Sequence, residues 1–502
     1  MPSILFSQTE QRGIGRGEVA ESRLEAPFFA IFMLFCSVSI FVFHIVVQNN
    51  AYTIALTISA IVFATTIVKV EYGLYILIIA MLLSPEIHAG SVGTYAERGL
   101  NLRYDDILIV IIFMGILVKQ AFENRVMIWR SNPINMGIVW YYVVCIISTL
   151  IALRVDVPAW DRSVAFFVML KMLEYYIIFF MVGVVVTNAR VIRNQLTLFF
   201  AVSLAVCVYA ISTIGRLPRV SAPFEVGGTE PNTLGGYLMI VMTIAGGLYC
   251  FAPKRKYRLM FMAMTAVAFV PFLMTLSRAS YTALIVSFLV LGVVSRKYIL
   301  VGLIAVVLIV SPFIMPQNVK DRVQYTFKES GVPVEFAGVE TTIDKSTYER
   351  IYIWEKVRFN LGVWPLFGGG VSWDTVLDSQ YARVLIETGI MGFIAYVYLL
   401  FMMLKTTRES YRWNRYWVFK GLALGMFATT LGLMVHSLGT ISFLIVRIME
   451  PFWFLMALTV VARKIALVDY EQRMEAYEQA QLESENTDSE LPLSPESTPS
   501  TA

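Results

Sequence analysis

The sequence predicts an all-α, polytopic membrane protein of about 14 transmembrane helices, with one large outer loop containing short amphipathic helices. Three observations carry this. Of 502 residues, 57% are hydrophobic and 15% charged, where a soluble chain carries about 25% charge. The mean hydropathy is +0.68. Apolar runs of about 20 residues, long enough to cross about 30 Å of hydrocarbon, recur from Pro27 to Ile465.

The elements follow in order. Residues 1–26 are polar and show no cleavable signal peptide. Spans are expected near 27–47, 51–69, 72–84, 104–119, 134–153, 163–187, 195–214, 233–252, 258–276, 279–295, 298–315, 381–404, 416–436 and 441–463. The one long loop is 316–380, and the membrane domain is bounded at 27–465. Residues 466–502 start as a polar helix at Tyr470 and end in SENTDSELPLSPESTPSTA, a largely disordered tail. Basic loops set the orientation. With the N-terminus in the cytoplasm, the inner loops carry Lys119, Arg125 and Arg130, then Arg190 and Arg193, then Lys254 to Arg258, then Arg296 and Lys297, then Lys405 to Arg415. The C-terminal tail also falls inside.

Several chemistries find no support in the residues. The four cysteines lie inside apolar runs and read as free thiols, and the three histidines are far apart. No Cys/His cluster has metal-ligand spacing, so no metal or cofactor is expected. Neither a Walker A loop nor a dinucleotide fingerprint occurs, and the net charge of +4 gives no nucleic-acid signature.

The outer face collects the unusual residues. Loop 215–232 carries Arg216, Arg219 and Asn232; the junction TLSRAS carries Arg278; His436 closes the thirteenth span. Arginine on the outer side runs against the positive-inside bias. A single one reads as snorkelling or paired; several on one face point to an anion site, because the guanidinium grips phosphate oxygens in pairs. In the long loop, Ser346-Thr347-Tyr348-Glu349 reads as a capping box. Ile351, Trp354, Val357 and Leu361 then form a stripe, with Arg350 and Arg358 off it. That predicts an amphipathic helix at the membrane surface, either a lid over a cavity or a structural cover. PLFGGG (365–370) reads as a flexible turn.

The next stretch, DSQYARVLIETGIMG (378–392), places three charges at the mouth of an apolar run. Arg383 and Glu387 are four apart and can pair. Asp378 is either an N-cap or a carboxylate facing a cationic cavity, where it could take a proton from a hydroxyl. Lys171 with Glu174, and Arg447 with Glu450, are each three apart and read as self-neutralising pairs. Asp105 and Asp106 read as helix-start carboxylates.

Taken in order, RVSAPFEVGGTEPNTLGGYL (219–238), TLSRASYTALIVSFLVLG (275–292), ERIYIWEKVRFNLGVWPLFGGG (349–370) and DSQYARVLIETGIMG resemble the O-antigen ligase and polymerase superfamily of bacterial inner-membrane proteins. The resemblance implies a metal-independent glycosyltransferase of the outer leaflet, using undecaprenyl-pyrophosphate-linked oligosaccharides. Ligases of that family have a histidine in a His-Asn-x-Tyr-like context where this chain has Asp378, three before Tyr381. The acidic residue looks more like the exopolysaccharide or O-antigen polymerase branch, as does LKMLEYYIIFF (170–180). The implied catalytic set is Asp378, Arg278 and Arg219. Arg216, Asn232, Arg350, Tyr381, Arg383 and His436 are the implied binding set. A flippase and a chain-length regulator are the implied protein partners. The alternatives are an O-antigen ligase, or a transporter or flippase of the same lipids; the latter should show polar residues through the bilayer depth and an internal repeat.

Overall fold

A computed structural model describes residues 50–84, 86–87, 102–123, 131–155, 162–216, 219–220, 231–302, 332–336, 339–343, 345–373 and 379–489. The helices are α1 (Asn50–Val68), α2 (Val70–Leu83), α3 (Tyr104–Phe122), α4 (Pro133–Val155), α5 (Arg162–Val185), α6 (Ala189–Ser212), α7 (Pro231–Phe251), α8 (Arg255–Met274) and α9 (Arg278–Val294). They continue with α10 (Lys345–Val363), α11 (Gln380–Trp413), α12 (Trp417–His436) and α13 (Val446–Ser489). Eight of the described helices are long and apolar enough to cross a membrane, and three shorter ones are apolar. Large side chains such as Leu150, Phe166, Met262 and Phe401 are exposed on their outer surfaces. An apolar exterior over an apolar interior is what a lipid solvent demands, and the protein spans a membrane.

The expected spans from 51–69 to 279–295 and from 381–404 to 441–463 each fall on a described helix. The span expected at 27–47 and most of 298–315 lie outside the described residues, as does Asp378. Two differences stand out. The chain is not wholly helical: β1 (Glu86–Ile87) pairs antiparallel with β2 (Leu102–Arg103), and β3 (Val332–Phe336) pairs with β4 (Val339–Ile343). The polar helix expected from Tyr470 is present, but it is continuous with the last span and runs to Ser489, into the stretch expected as disordered tail. Strong helix formers fill that segment, and Asp469 and Arg473 bridge one turn at 2.9 Å.

α7 is the axis of the bundle, with 89% of its apolar window buried. It packs against α12 through backbone. A Cβ at Gly247 would lie 2.4 Å from the Gly421 carbonyl oxygen, and one at Gly421 would lie 2.8 Å from Leu248 Cα. Without a hydrophobic drive between helices in lipid, close backbone approach of this kind supplies the dispersion contact that holds them. α13 packs on α5 through rings. Trp453 lies 5.1 Å from Tyr176 and 5.4 Å from Phe179, centroid to centroid, both edge-on.

Gly247→Val is expected to force α7 and α12 apart. Overpacking costs about 1–3 kcal/mol, and a backbone clash sits at the top of that range. The check is the thermal midpoint and the monodisperse yield of detergent-extracted protein, both of which should fall well below those of Gly183→Val, a position whose Cβ meets nothing within 4 Å.

Candidate functional site

Four helix ends meet at one end of the bundle. α9 begins with Ser277 as N-cap, its hydroxyl accepting from the Ser280 amide. Arg278 is the first residue of α9 and is half-buried. The turn before it is held by Arg219, which donates from Nε to the Thr275 carbonyl (3.0 Å) and from a terminal nitrogen to the Leu276 carbonyl (3.3 Å). Leu276 has φ +52°, a conformation costly for a branched residue, so the turn needs such a clamp. Arg219 thus lies against the turn that leads into Arg278 and spends two donor contacts on the backbone that presents it.

The Ser280 hydroxyl lies 2.8 Å from the Ser277 hydroxyl and 2.9 Å from His436 Nε2. His436 Nδ1 lies 2.7 Å from the Ser442 hydroxyl. His436 is completely buried. It was expected to bind substrate; the structure gives it two serine partners and makes it a tie between α9, α12 and the turn into α13. Next to it, the Gln380 amide donates to the Ser437 carbonyl (3.0 Å) and the Tyr381 hydroxyl donates to the Met434 carbonyl (2.8 Å). The first turn of α7 completes the group: Gly235 abuts Ser280, and Gly236 abuts His436 and Ile448. Asn232, half-buried, begins that turn. Thus Arg219, Arg278, Asn232, Tyr381 and His436 share one end of the bundle, and Asp378 lies one residue before the described start of this group at Ser379. Arg216 is exposed on the turn after α6, and Arg350 lies on α10.

α11 is broken. Gly389 has φ +65° and ψ −162°, a region essentially closed to residues with a Cβ. The break interrupts the helical hydrogen bonds, and the segment 365–370 replaces them. The amides of Gly369 and Gly370 donate to the carbonyls of Ile386 and Glu387, both at 3.0 Å. The amides of Ile390 and Met391 donate to the carbonyls of Pro365 (3.0 Å) and Leu366 (3.1 Å). The Ser148 hydroxyl on α4 also donates to the Glu387 carbonyl. The glycine-rich segment is thus a paired insert and not the flexible turn its composition suggested. Irregular backbone among apolar helices persists only where its polar groups are repaired in this way.

Arg383 turns inward. Its Nε donates to Glu387 Oε1 at 2.7 Å, and its terminal nitrogen reaches the Ser372 hydroxyl at 3.3 Å. The Ser372 amide donates to the same Glu387 oxygen at 2.9 Å. The expected i, i+4 pair is present, and it also anchors the insert. α10 covers this region, with Ile353 and Val357 packed on Ala382 and Ile386. The predicted stripe is rotated: Trp354 faces outward, 49% exposed, while Ile353, Val357 and Asn360 are buried. The contact with α11 selects that face. The side chains of Ile351 and Arg350 lie outside the described residues.

Beneath the insert lies a cavity of about 20 Å³, the volume of one or two waters. Gln380, Arg383, Glu387 and Tyr396 line it, over a floor that includes Tyr175 and Trp453. Gln380 Oε1 and the Tyr396 hydroxyl are buried there without a protein hydrogen-bond partner. The two unpartnered groups on its rim suit a bound water.

A second charged centre lies between α3, α5 and α13. Arg103 reaches Asp105 at 2.9 Å and Glu450 at 3.1 Å. Lys171 pairs with Asp106 and, at 3.2 Å, with Glu174. The spacing within each helix suggested two self-contained pairs; the bundle instead joins three helices through one network, with the protein's own cations inside it. Neither the models of known protein families nor the curated proteins give a match to this chain.

Gly389→Ala tests the break. A Cβ there would lie 2.5 Å from the Leu366 carbonyl atoms, and the backbone conformation alone costs about 1–3 kcal/mol. The variant should lose thermal stability and expose the 364–373 segment to limited proteolysis, whereas Gly183→Ala should do neither.

Proposed function

We propose that the protein is a polymerase of lipid-linked oligosaccharide repeat units. It acts at the outer face of a bacterial inner membrane and transfers a glycan from an undecaprenyl-pyrophosphate donor to a sugar hydroxyl of a lipid-linked acceptor. The observation that carries the reading is the convergence of Arg278, the N-terminus of α9 and the start of α11 on one end of the bundle. A helix N-terminus with an arginine as its first residue is a natural seat for a pyrophosphate. No metal is needed to offset the leaving group's charge if fixed cations do so in a partly dehydrated site.

The roles follow. The acceptor hydroxyl attacks the anomeric carbon of the donor sugar and gives its proton to Asp378. The bond from that carbon to the pyrophosphate oxygen breaks, and undecaprenyl pyrophosphate leaves with its new charge facing Arg278. Arg219 holds the turn that aims Arg278. Asn232, Tyr381 and Arg216 border the same end, and Arg350 on α10 serves the glycan side. Arg383 acts at one remove, by fixing Glu387 and the insert. The energy is already in the pyrophosphate linkage, so the absence of a nucleotide motif in the sequence is consistent. The family resemblance supports the polymerase over the ligase through the acidic residue at Asp378.

A second reading, a transporter of the same lipids, draws on a specific observation. The broken α11 and the charged network are features that transporters place at their binding sites.

The two readings separate in proteoliposomes supplied with undecaprenyl-pyrophosphate-linked repeat units. Polymerisation yields a ladder of lengthened products; translocation without lengthening would favour the transporter. Arg278→Ala is expected to cut the rate by about a hundredfold or more, and Arg278→Lys to restore only part of it because the paired grip is lost. Asp378→Asn should lower it by about 10²–10⁴ at normal membrane abundance. Asparagine caps a helix as well as aspartate does, so unchanged activity would end the proton-acceptor role.

Orientation has its own check. Reporter fusions at residues 330 and 410 should report outside and inside respectively. The reverse result would place the arginines on the wrong face for this donor.

A further inference from the structure

The network between α3, α5 and α13 has more carboxylates than cations. Asp105 and Asp106 open α3, Glu174 projects from α5 and Glu450 from α13, and one oxygen from each lies within 4.8 Å of the others. All four belong to the interior: Asp105 and Glu450 are fully buried and Glu174 is 8% exposed. Facing them are Arg103 and Lys171. Arg447, buried one turn before Glu450 on α13, is a third cation close in sequence. Counting all three, the described residues still leave one negative charge in excess. Among the described side chains, the end of α2 contributes the Ser84 hydroxyl, which donates to Asp105 at 2.8 Å. The other buried ionisable groups nearby are committed elsewhere, His436 to two serines and Arg383 to Glu387.

A second observation locates the imbalance. Glu450 receives Arg103 on Oε1, and Glu174 receives Lys171 on Oε2. Their other oxygens, Glu450 Oε2 and Glu174 Oε1, are buried and have no hydrogen-bond donor in the protein. Asp105 accepts from Ser84 on Oδ1 and faces Arg103 with Oδ2 at 2.9 Å, closer than Glu450, just as Lys171 has Asp106 as its nearer partner and Glu174 as its farther one. The surplus charge therefore falls on Glu174 and Glu450, each the farther partner of its cation and each with a buried oxygen that lacks a donor. Two ionised carboxylates held together away from water repel strongly, whereas one proton between them supplies both the missing donor and the missing charge.

We propose that this centre is a proton-binding site: Glu174 and Glu450 share one proton, the hydroxyl of one donating to the carboxylate of the other and tying α5 to α13. The site is independent of the glycan chemistry proposed above. Lys171 and Arg103 already occupy the cationic positions around the four carboxylates, which favours a proton over a metal ion as the balancing charge.

The test uses the full chain in detergent. A glutamine has the size of a neutral glutamic acid and keeps a donor, so Glu174→Gln should retain the wild-type thermal midpoint. Asp105→Asn, which removes a charge that Arg103 needs, should lower it by several degrees. Infrared spectroscopy of the wild type should show the carbonyl stretch of a neutral carboxyl group, and that band should vanish in Glu174→Gln. Two results would overturn the proposal. A wild type with no neutral-carboxyl band has all four groups ionised, whatever the variants do. A midpoint that falls on adding EDTA to the wild type but not to Glu174→Gln makes the bound species a divalent cation.

Discussion

Inside an apolar bundle each backbone N–H and C=O must find a partner, and at Gly389 this requirement organises a large part of the molecule. Breaking α11 there would orphan the carbonyls of Ile386 and Glu387 and the amides of Ile390 and Met391. The segment 365–370 takes up all four. Once it is seated, Ser372 lies where its amide reaches Glu387, and Arg383 closes the triangle. α10, just before the insert, is then carried onto Ala382 and Ile386. The cavity between α11 and the Tyr175–Trp453 floor exists because the first two turns of α11 do not continue the line of the rest. One glycine's conformation thus propagates to a covering helix, an ion pair and a cavity.

The end of the bundle where the arginines gather rests on a different device. His436 is a short polar tie, with one ring nitrogen at Ser280 and the other at Ser442. Burying a histidine without partners would be costly; with two hydroxyls it becomes a fixed spacer between helices. Because Arg219 clamps the turn ahead of α9, Arg278 is presented from a rigid element and not from a loop.

The two charged centres differ in the same physical terms. At Arg383 and Glu387 one cation meets one anion, the spare donors and acceptors are taken by Ser372, and the group is balanced. Between α3, α5 and α13 the groups come from three helices, and the balance is short by one positive charge among the described residues. Low dielectric makes both centres stiff, but only the second keeps buried carboxylate oxygens without a donor among the described residues.

Much of this was legible in the amino-acid sequence, because hydrocarbon imposes a length and a composition on every crossing segment. Apolar runs such as 133–155 and 417–436 could be read to within a few residues, since polar or basic residues mark their ends. The i, i+4 pair of Arg383 and Glu387 was legible too, because a helix fixes the distance between those positions. What no local pattern encodes is which helices are neighbours. Lys171 has Glu174 three residues away, yet pairs also with Asp106 on another helix; Glu450 turns to Arg103, far back in the chain. His436 could be placed from the sequence at the outer end of a span, but its ties to Ser280 and Ser442 come only from packing. The three glycines of 368–370 and the one at 389 gave a signal of unusual backbone, but only the tertiary structure decided that the two would satisfy each other. Sequence periodicity describes a single helix in isolation; partners across the bundle are chosen by burial and charge balance, which exist only once the helices are packed.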